Sequence, residues 1–125
     1  MKKDQLQRTE FQECMDLVGY LVILSAKGFV VDYTHIPNET YTTSWNQKRK
    51  NTAMGVAKGF PDYLILGKKK MLFIEMKREK GGVVSPEQRV WLDNLSRYKN
   101  VYAVVCRGFN EAKEIVDDCF GVKGL

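Results

Sequence analysis

Two apolar runs, Tyr63-Leu64-Ile65-Leu66 and Met71-Leu72-Phe73-Ile74, flank a Gly67-Lys68-Lys69-Lys70 turn, and this stretch constrains the fold more than any other. Short apolar runs joined by a glycine-containing turn form β-hairpins. Side chains alternate between the two faces of a strand. Asp62 therefore shares a face with Leu64 and Leu66, while Glu75 and Lys77 share one with Met71 and Phe73. Charges stand where apolar stripes should continue. Singly, each has an ordinary reading: Asp62 follows a proline as turn residues do, and Glu75 and Lys77 mark a strand leaving the core. Together they bring two carboxylates toward one point, because adjacent strands lie about 4.8 Å apart. Two such charges about 4 Å apart repel by about 4 kcal/mol at an effective dielectric near 20. Something cationic must offset that, and a proton, Lys77 or a metal ion would each serve.

Oxygen ligands with water nearby suit Mg²⁺ or Mn²⁺, hard cations that keep part of their hydration shell and bind phosphates. A lysine beside the attacking water would orient it or stabilise charge developing on phosphorus. The chemistry indicated is metal-assisted phosphodiester hydrolysis. Pro61-Asp62 followed by Glu75-Met76-Lys77 resembles the PD-(D/E)XK motif of restriction-endonuclease-like nucleases. Thr9-Glu10-Phe11-Gln12, His35-Ile36-Pro37-Asn38-Glu39, residues 55–62, residues 73–82 and Ser85-Pro86-Glu87-Gln88 extend the likeness. With them the chain resembles the VRR-NUC family, the virus-type replication-repair nucleases, from about Thr9 to Phe120.

That resemblance implies an α/β, restriction-endonuclease-like core, a mixed central sheet flanked by helices in the order αβββαβα. It implies Asp62 and Glu75 as ligands of Mg²⁺ or Mn²⁺, aided by the Met76 backbone carbonyl and by Glu10 directly or through water. Lys77 would act on the attacking water, Gln88 would hold Lys77 or the scissile phosphate, and Asn38 would lie near substrate. For the acid of the first helix, Glu10 matches the family position better than Glu13, and the choice between them stays open. Glu10 also has a simpler reading, as a carboxylate favoured by the positive end of its helix. The family likeness further implies a DNA endonuclease selective for branched DNA such as four-way junctions or flaps. It would leave a 5′-phosphate, act as a homodimer, and serve phage or bacterial recombination or repair. The competing reading is a catalytically silent nucleic-acid-binding module of the same fold.

Composition fits this and excludes other classes. The 125 residues, 44% hydrophobic, suit one domain over residues 1–125 with its own core. Twenty Lys and Arg against fifteen Asp and Glu give a formal charge of +5, which favours a polyanionic partner. Cys14, Cys106 and Cys119 lack paired spacing, so reduced thiols are expected rather than a disulfide framework or zinc knuckle. The single histidine, His35, excludes a catalytic His dyad. Met1-Lys2-Lys3-Asp4-Gln5 leads into polar sequence rather than a signal peptide, and no apolar stretch suits a bilayer span. The expected setting is the cytoplasm of a bacterial or phage-infected cell, with no membrane partner.

Around the hairpin, residues 9–27 predict a helix capped by Thr9 and closed by Gly28, with Phe11, Cys14, Met15, Val18, Leu21 and Val22 as its apolar face. Residues 29–34 read as a strand. Residues 41–58 read as a polar, basic loop in which Lys48, Arg49, Lys50 and Lys58 suit phosphates. Trp45 there would stack on a base or tuck against the core. Arg78 and Lys80, with Gly81-Gly82, make a basic turn beside the proposed centre. Ser85 begins a helix with Gln88 in the capping-box position and Val90, Trp91 and Leu95 inward. Residues 101–106 suit a buried central strand, and residues 110–120 a helix burying Ala112, Ile115, Val116 and Cys119 before Gly121.

Overall fold

The computed structural model describes residues 8–37 and 42–124. Helix α1 (Glu10–Ala26) leads to strand β1 (Asp32–His35), helix α2 (Trp45–Ala53), and strands β2 (Tyr63–Leu66) and β3 (Met71–Lys77). Helix α3 (Pro86–Leu95), strand β4 (Val101–Arg107) and helix α4 (Phe109–Phe120) complete it. The hairpin has the predicted bounds, with Leu66 opposite Met71 and Tyr63 opposite Ile74. The four-stranded sheet runs β1-β2-β3-β4. β1, β2 and β3 are antiparallel neighbours, and β4 joins β3 in parallel. A parallel pair needs a crossover, and α3 supplies it. This is a mixed, helix-flanked α/β sheet.

Two apolar layers hold it together. On one face Leu17, Leu21 and Leu24 of α1 and Val116 of α4 pack with Ile65, Leu72, Ile74 and Met76. On the other, Leu92 of α3 packs with Phe73 and Ala103. β3 is buried from Leu72 through Met76, so Glu75 is a carboxylate inside the sheet's most enclosed strand. Its side chain shares the face of Phe73, toward α3, as strand parity requires.

Several details depart from expectation. A helix, α2, lies in the predicted loop, capped by Ser44 and braced by a 2.7 Å bond from Gln47 Nε2 to Asn51 Oδ1. It buries no residue, and so carries no apolar periodicity to read. The buried face of α1 is Glu13, Leu17, Tyr20, Leu21 and Leu24. Phe11, Met15 and Val22 face outward, while Cys14 and Val18 flank the core. In α3 the buried residue is Leu92, whereas Val90 is exposed. Trp91 is half-buried against Phe60, ring centroids 4.8 Å apart. β1 begins at Asp32 rather than Phe29. β4 is an edge strand rather than a central one, and its apolar run answers to α3 and α4 on its two faces.

All three packed helices start at the same end of the sheet. The Gly108 N–H, before α4, donates to the Lys77 carbonyl at 2.8 Å, and Gln88 in the first turn of α3 reaches Glu75. Glu10, at the start of α1, feels the charges of Asp62 and Lys77. The opposite end holds the 67–70 turn, where a side chain at Gly67 would collide with Phe120 at the close of α4.

Candidate active site

Asp62 follows the buried Pro61 into β2, and its Oδ2 accepts the Met76 N–H at 2.8 Å. That bond ties the two strands where the sheet opens. One residue before Met76, the Glu75 side chain is almost fully buried. Its Oε2 accepts from Gln88 Nε2 at 2.9 Å and lies 3.5 Å from Lys77 Nζ. Its Oε1 is buried with no hydrogen-bond partner. Native structures rarely leave a buried polar atom unsatisfied, and such an atom marks a place for water, an ion or a proton shared with the neighbouring Asp62 carboxyl.

The electrostatics mark the same two carboxyls. Burial, then the charge of Asp62, pushes the Glu75 carboxyl up to about 8 against the pull of Lys77. Asp62 is also raised, chiefly by burial, with the Met76 N–H, His35 and Lys77 acting the other way. Glu10 is raised by burial and then by Asp62, with Lys77 and Arg78 opposing. The Glu75 carboxyl would therefore hold a proton near neutral pH that a divalent cation would displace.

Gln88 caps its own helix and also reaches the site carboxylate. Its Oε1 accepts the Ser85 N–H at 2.9 Å, closing the capping box, while its amide nitrogen holds Glu75 rather than Lys77. Gly59 sets how near α3 approaches. At φ +89 it lies so close that an added Cβ would sit 2.6 Å from the Glu87 backbone carbon and 2.7 Å from the Gln88 nitrogen. Only glycine tolerates both that φ and that contact.

The two acids of the first helix have separate surroundings. Glu13 is buried and committed, accepting the Phe109 N–H at 2.7 Å and Arg8 Nε at 3.1 Å. It caps the first turn of α4 from another helix, a role that its sequence position did not announce. Glu10 is exposed and lies within the field of the centre.

An open cleft of ≈ 650 Å³ lies over Asp62, Glu75 and Gln88. Lys48, Asn51 and Thr52 of α2 wall it, with Lys58, Gly59 and Phe60. Of the basic residues expected to meet phosphates, Lys48 and Lys58 line this cleft; Arg49 and Lys50 are exposed on α2 and do not. Arg78 folds against Gly81 and Lys80 is exposed. Asn38 lies outside the described residues. Sequence reasoning missed Asn51, Thr52 and Arg107. Arg107 Nη1 donates to the Gly82 carbonyl at 2.7 Å, so the glycine turn beside Lys77 is anchored. Trp45 is exposed and packs into no core.

Among the described residues no three of His, Cys, Asp and Glu converge as direct metal ligands. The Asp62–Glu75 pair, with its unsatisfied Oε1, fits a hard divalent ion whose other positions are filled by backbone and water oxygens. The three cysteines are free thiols.

A mixed α/β sheet that carries paired carboxylates into a basic-walled cleft, with Lys77 3.5 Å from one of them, suits chemistry on a phosphodiester. Comparison with known proteins gives the family. A family model described as the VRR-NUC domain matches residues 21–110, and the chain belongs to that family, a family of nucleases. Asp62, Glu75, Lys77 and Gln88 fall within the match, and Glu10 precedes it. A solved structure described as a "VRR_NUC domain protein" is 21% identical, covering 71% of this chain and 67% of that one at a TM-score of 0.56, a likeness of fold. No curated protein matches. Among the described residues no helix is long and apolar enough to cross a membrane.

Proposed function

We propose that this chain is one divalent-metal-dependent DNA endonuclease domain that hydrolyses phosphodiester bonds in branched DNA, such as junctions or flaps, during phage or bacterial recombination or repair. The observation that carries the reading is the buried, unsatisfied Oε1 of Glu75 beside Asp62 at the floor of a lysine-walled cleft. Mg²⁺ or Mn²⁺ would be held by Asp62, Glu75 and the Met76 carbonyl, with Glu10 acting through water. Such an ion supplies Lewis-acid stabilisation of charge on the phosphoryl oxygens. Gln88 and Lys77 fix the Glu75 carboxylate from one side. Lys77 orients the attacking water and neutralises charge developing on the phosphate. Lys48 and Lys58 grip the flanking backbone, and Arg49, Lys50, Arg78 and Lys80 extend that contact.

The reading includes a two-fold homodimer. Phe11, Met15, Val22 and Ile23 leave an apolar stripe along the outside of α1, and around Gly19 no atom lies within 4 Å of an added Cβ. A second copy of α1 laid antiparallel would cover this stripe. Met15→Glu is expected to convert a dimer to a monomer in sedimentation. A wild-type monomer at working concentration that still cuts junctions sinks this part.

Cleavage of labelled single strand, duplex, flap and four-way junction, with Mg²⁺, Mn²⁺ or EDTA, tests the activity. Metal-dependent cutting should fall about 10²–10³-fold in Lys77→Ala, the loss typical of removing one transition-state donor. Absence of cutting under every condition, with DNA binding retained, favours the silent binding module instead. Against that alternative, carboxylates clustered beneath a phosphate site only weaken simple binding.

A further inference from the structure

At the end of the sheet opposite the cleft, Lys27, Lys68, Lys69 and Lys70 surround a second open hollow of ≈ 590 Å³, floored by Cys119 and Gly121. All four lysines are exposed, and among the described residues the ion pairs belong to Arg8, Lys77 and Lys113, not to them. Asp118 is the single acid lining the hollow. The C-termini of α1 and α4 also end here, each worth about half a negative charge. Together these offset only about half of the four positive charges. A plain solubility device would spread such charges apart, whereas here three come in succession from one tight hairpin turn and a fourth from the end of a helix.

We propose that this hollow is a second nucleic-acid contact, an exosite for a phosphodiester backbone segment separate from the one in the cleft. It rests on the reading of the cleft as a nuclease site. β3 runs from the hairpin turn to Lys77, so the two sites are offset by about 20 Å along the strand at ~3.3 Å per residue. That spacing corresponds to about six base-pair steps. The hollow lies on the α1 and α4 side of the sheet and the cleft on the α2 and α3 side. A second arm of a branched molecule therefore suits it better than the continuation of one straight duplex. Lys70 also stands 5.8 Å from the centre of the Tyr102 ring, which leaves Lys68 and Lys69 the freer pair.

The test measures binding in EDTA, across a salt series, of a four-way junction and of anionic phospholipid vesicles to three proteins: wild type, the triple Lys68→Gln, Lys69→Gln, Lys70→Gln variant, and the matching triple Lys→Arg variant. Cutting of the same junction by wild type with Mg²⁺ is measured in parallel. The expected result is a glutamine variant whose log–log salt slope on the junction is shallower by about 2–3, since each phosphate contact contributes about 0.9. The arginine variant should match wild type. Equal slopes for all three proteins, while wild type still cuts, overturn the exosite and leave the cleft reading intact. Equal loss in the glutamine and arginine variants reveals a structural turn and overturns it. A difference confined to the vesicles overturns it in favour of a lipid surface. Wild type that neither binds nor cuts overturns the cleft reading together with the exosite.

Discussion

Glu75 carries more of this account than any other residue. It occupies the middle of the most buried strand, holds Gln88 and Lys77 with one oxygen, and leaves the other without a partner. A carboxyl whose folded pKa is raised to about 8 from an ordinary 4.5 holds more protons in the folded state than in the unfolded state between those values. Stability then falls as pH rises through that interval. Metal-free protein is therefore expected to melt at progressively lower temperature from about pH 5 to pH 8. Relative to it, Glu75→Gln should gain in melting temperature over the same range. Identical pH profiles for the two proteins would show that Glu75 ionises freely. The charge of Glu75 could be read in the sequence because parity set it on an apolar stripe. Its partner could not be, because Gln88 is thirteen residues away and its capping role alone accounts for its identity.

At the scale of elements, the hairpin and α4 were legible because each buries one face and ends on a clear signal, Gly67 for one and Gly121 in a left-handed conformation for the other. The face of α1 was not. Its outward side is as apolar as its inward side, and the inward side contains Glu13, which is satisfied by Phe109 and Arg8. Periodicity alone cannot choose between two such faces. α2 was illegible for the opposite reason, since a helix held by its cap and internal bonds shows no stripe. Gly59→Ala should destabilise the protein by about 1–3 kcal/mol, because its positive φ and its contact with α3 both become strained. It should also reduce kcat by moving Gln88 relative to Glu75; thermal melts and single-turnover rates would show both. Ser44→Ala removes a cap worth about 1 kcal/mol from a helix that buries nothing, so it should speed hydrogen exchange within α2 and raise the KM for DNA. The global melting temperature should hardly change. Lys48→Ala should raise KM more than Arg49→Ala, since only Lys48 lines the cleft.

Across the whole molecule, one polarity organises charge. α1, α3 and α4 all begin at the end of the sheet that carries Asp62, Glu75 and Lys77, so the positive ends of three helix dipoles lie at this pole. Lysines line a hollow at each pole, Lys48 and Lys58 at that end and the hairpin turn at the other. The order of elements announced the α/β class. The convergence of helix starts came only with the sheet order β1-β2-β3-β4, because that order fixes which ends meet. In the proposed cation site at this pole, Glu75 would hold a proton until metal displaces it. Calorimetric titration of Mn²⁺ into the protein at pH 7, repeated in buffers of different ionisation enthalpy, tests it most directly. The account predicts saturable binding with release of about one proton from a carboxyl titrating near 8, and loss of both binding and release in Glu75→Gln. Binding that releases no proton, or that survives in Glu75→Gln unchanged, would contradict it.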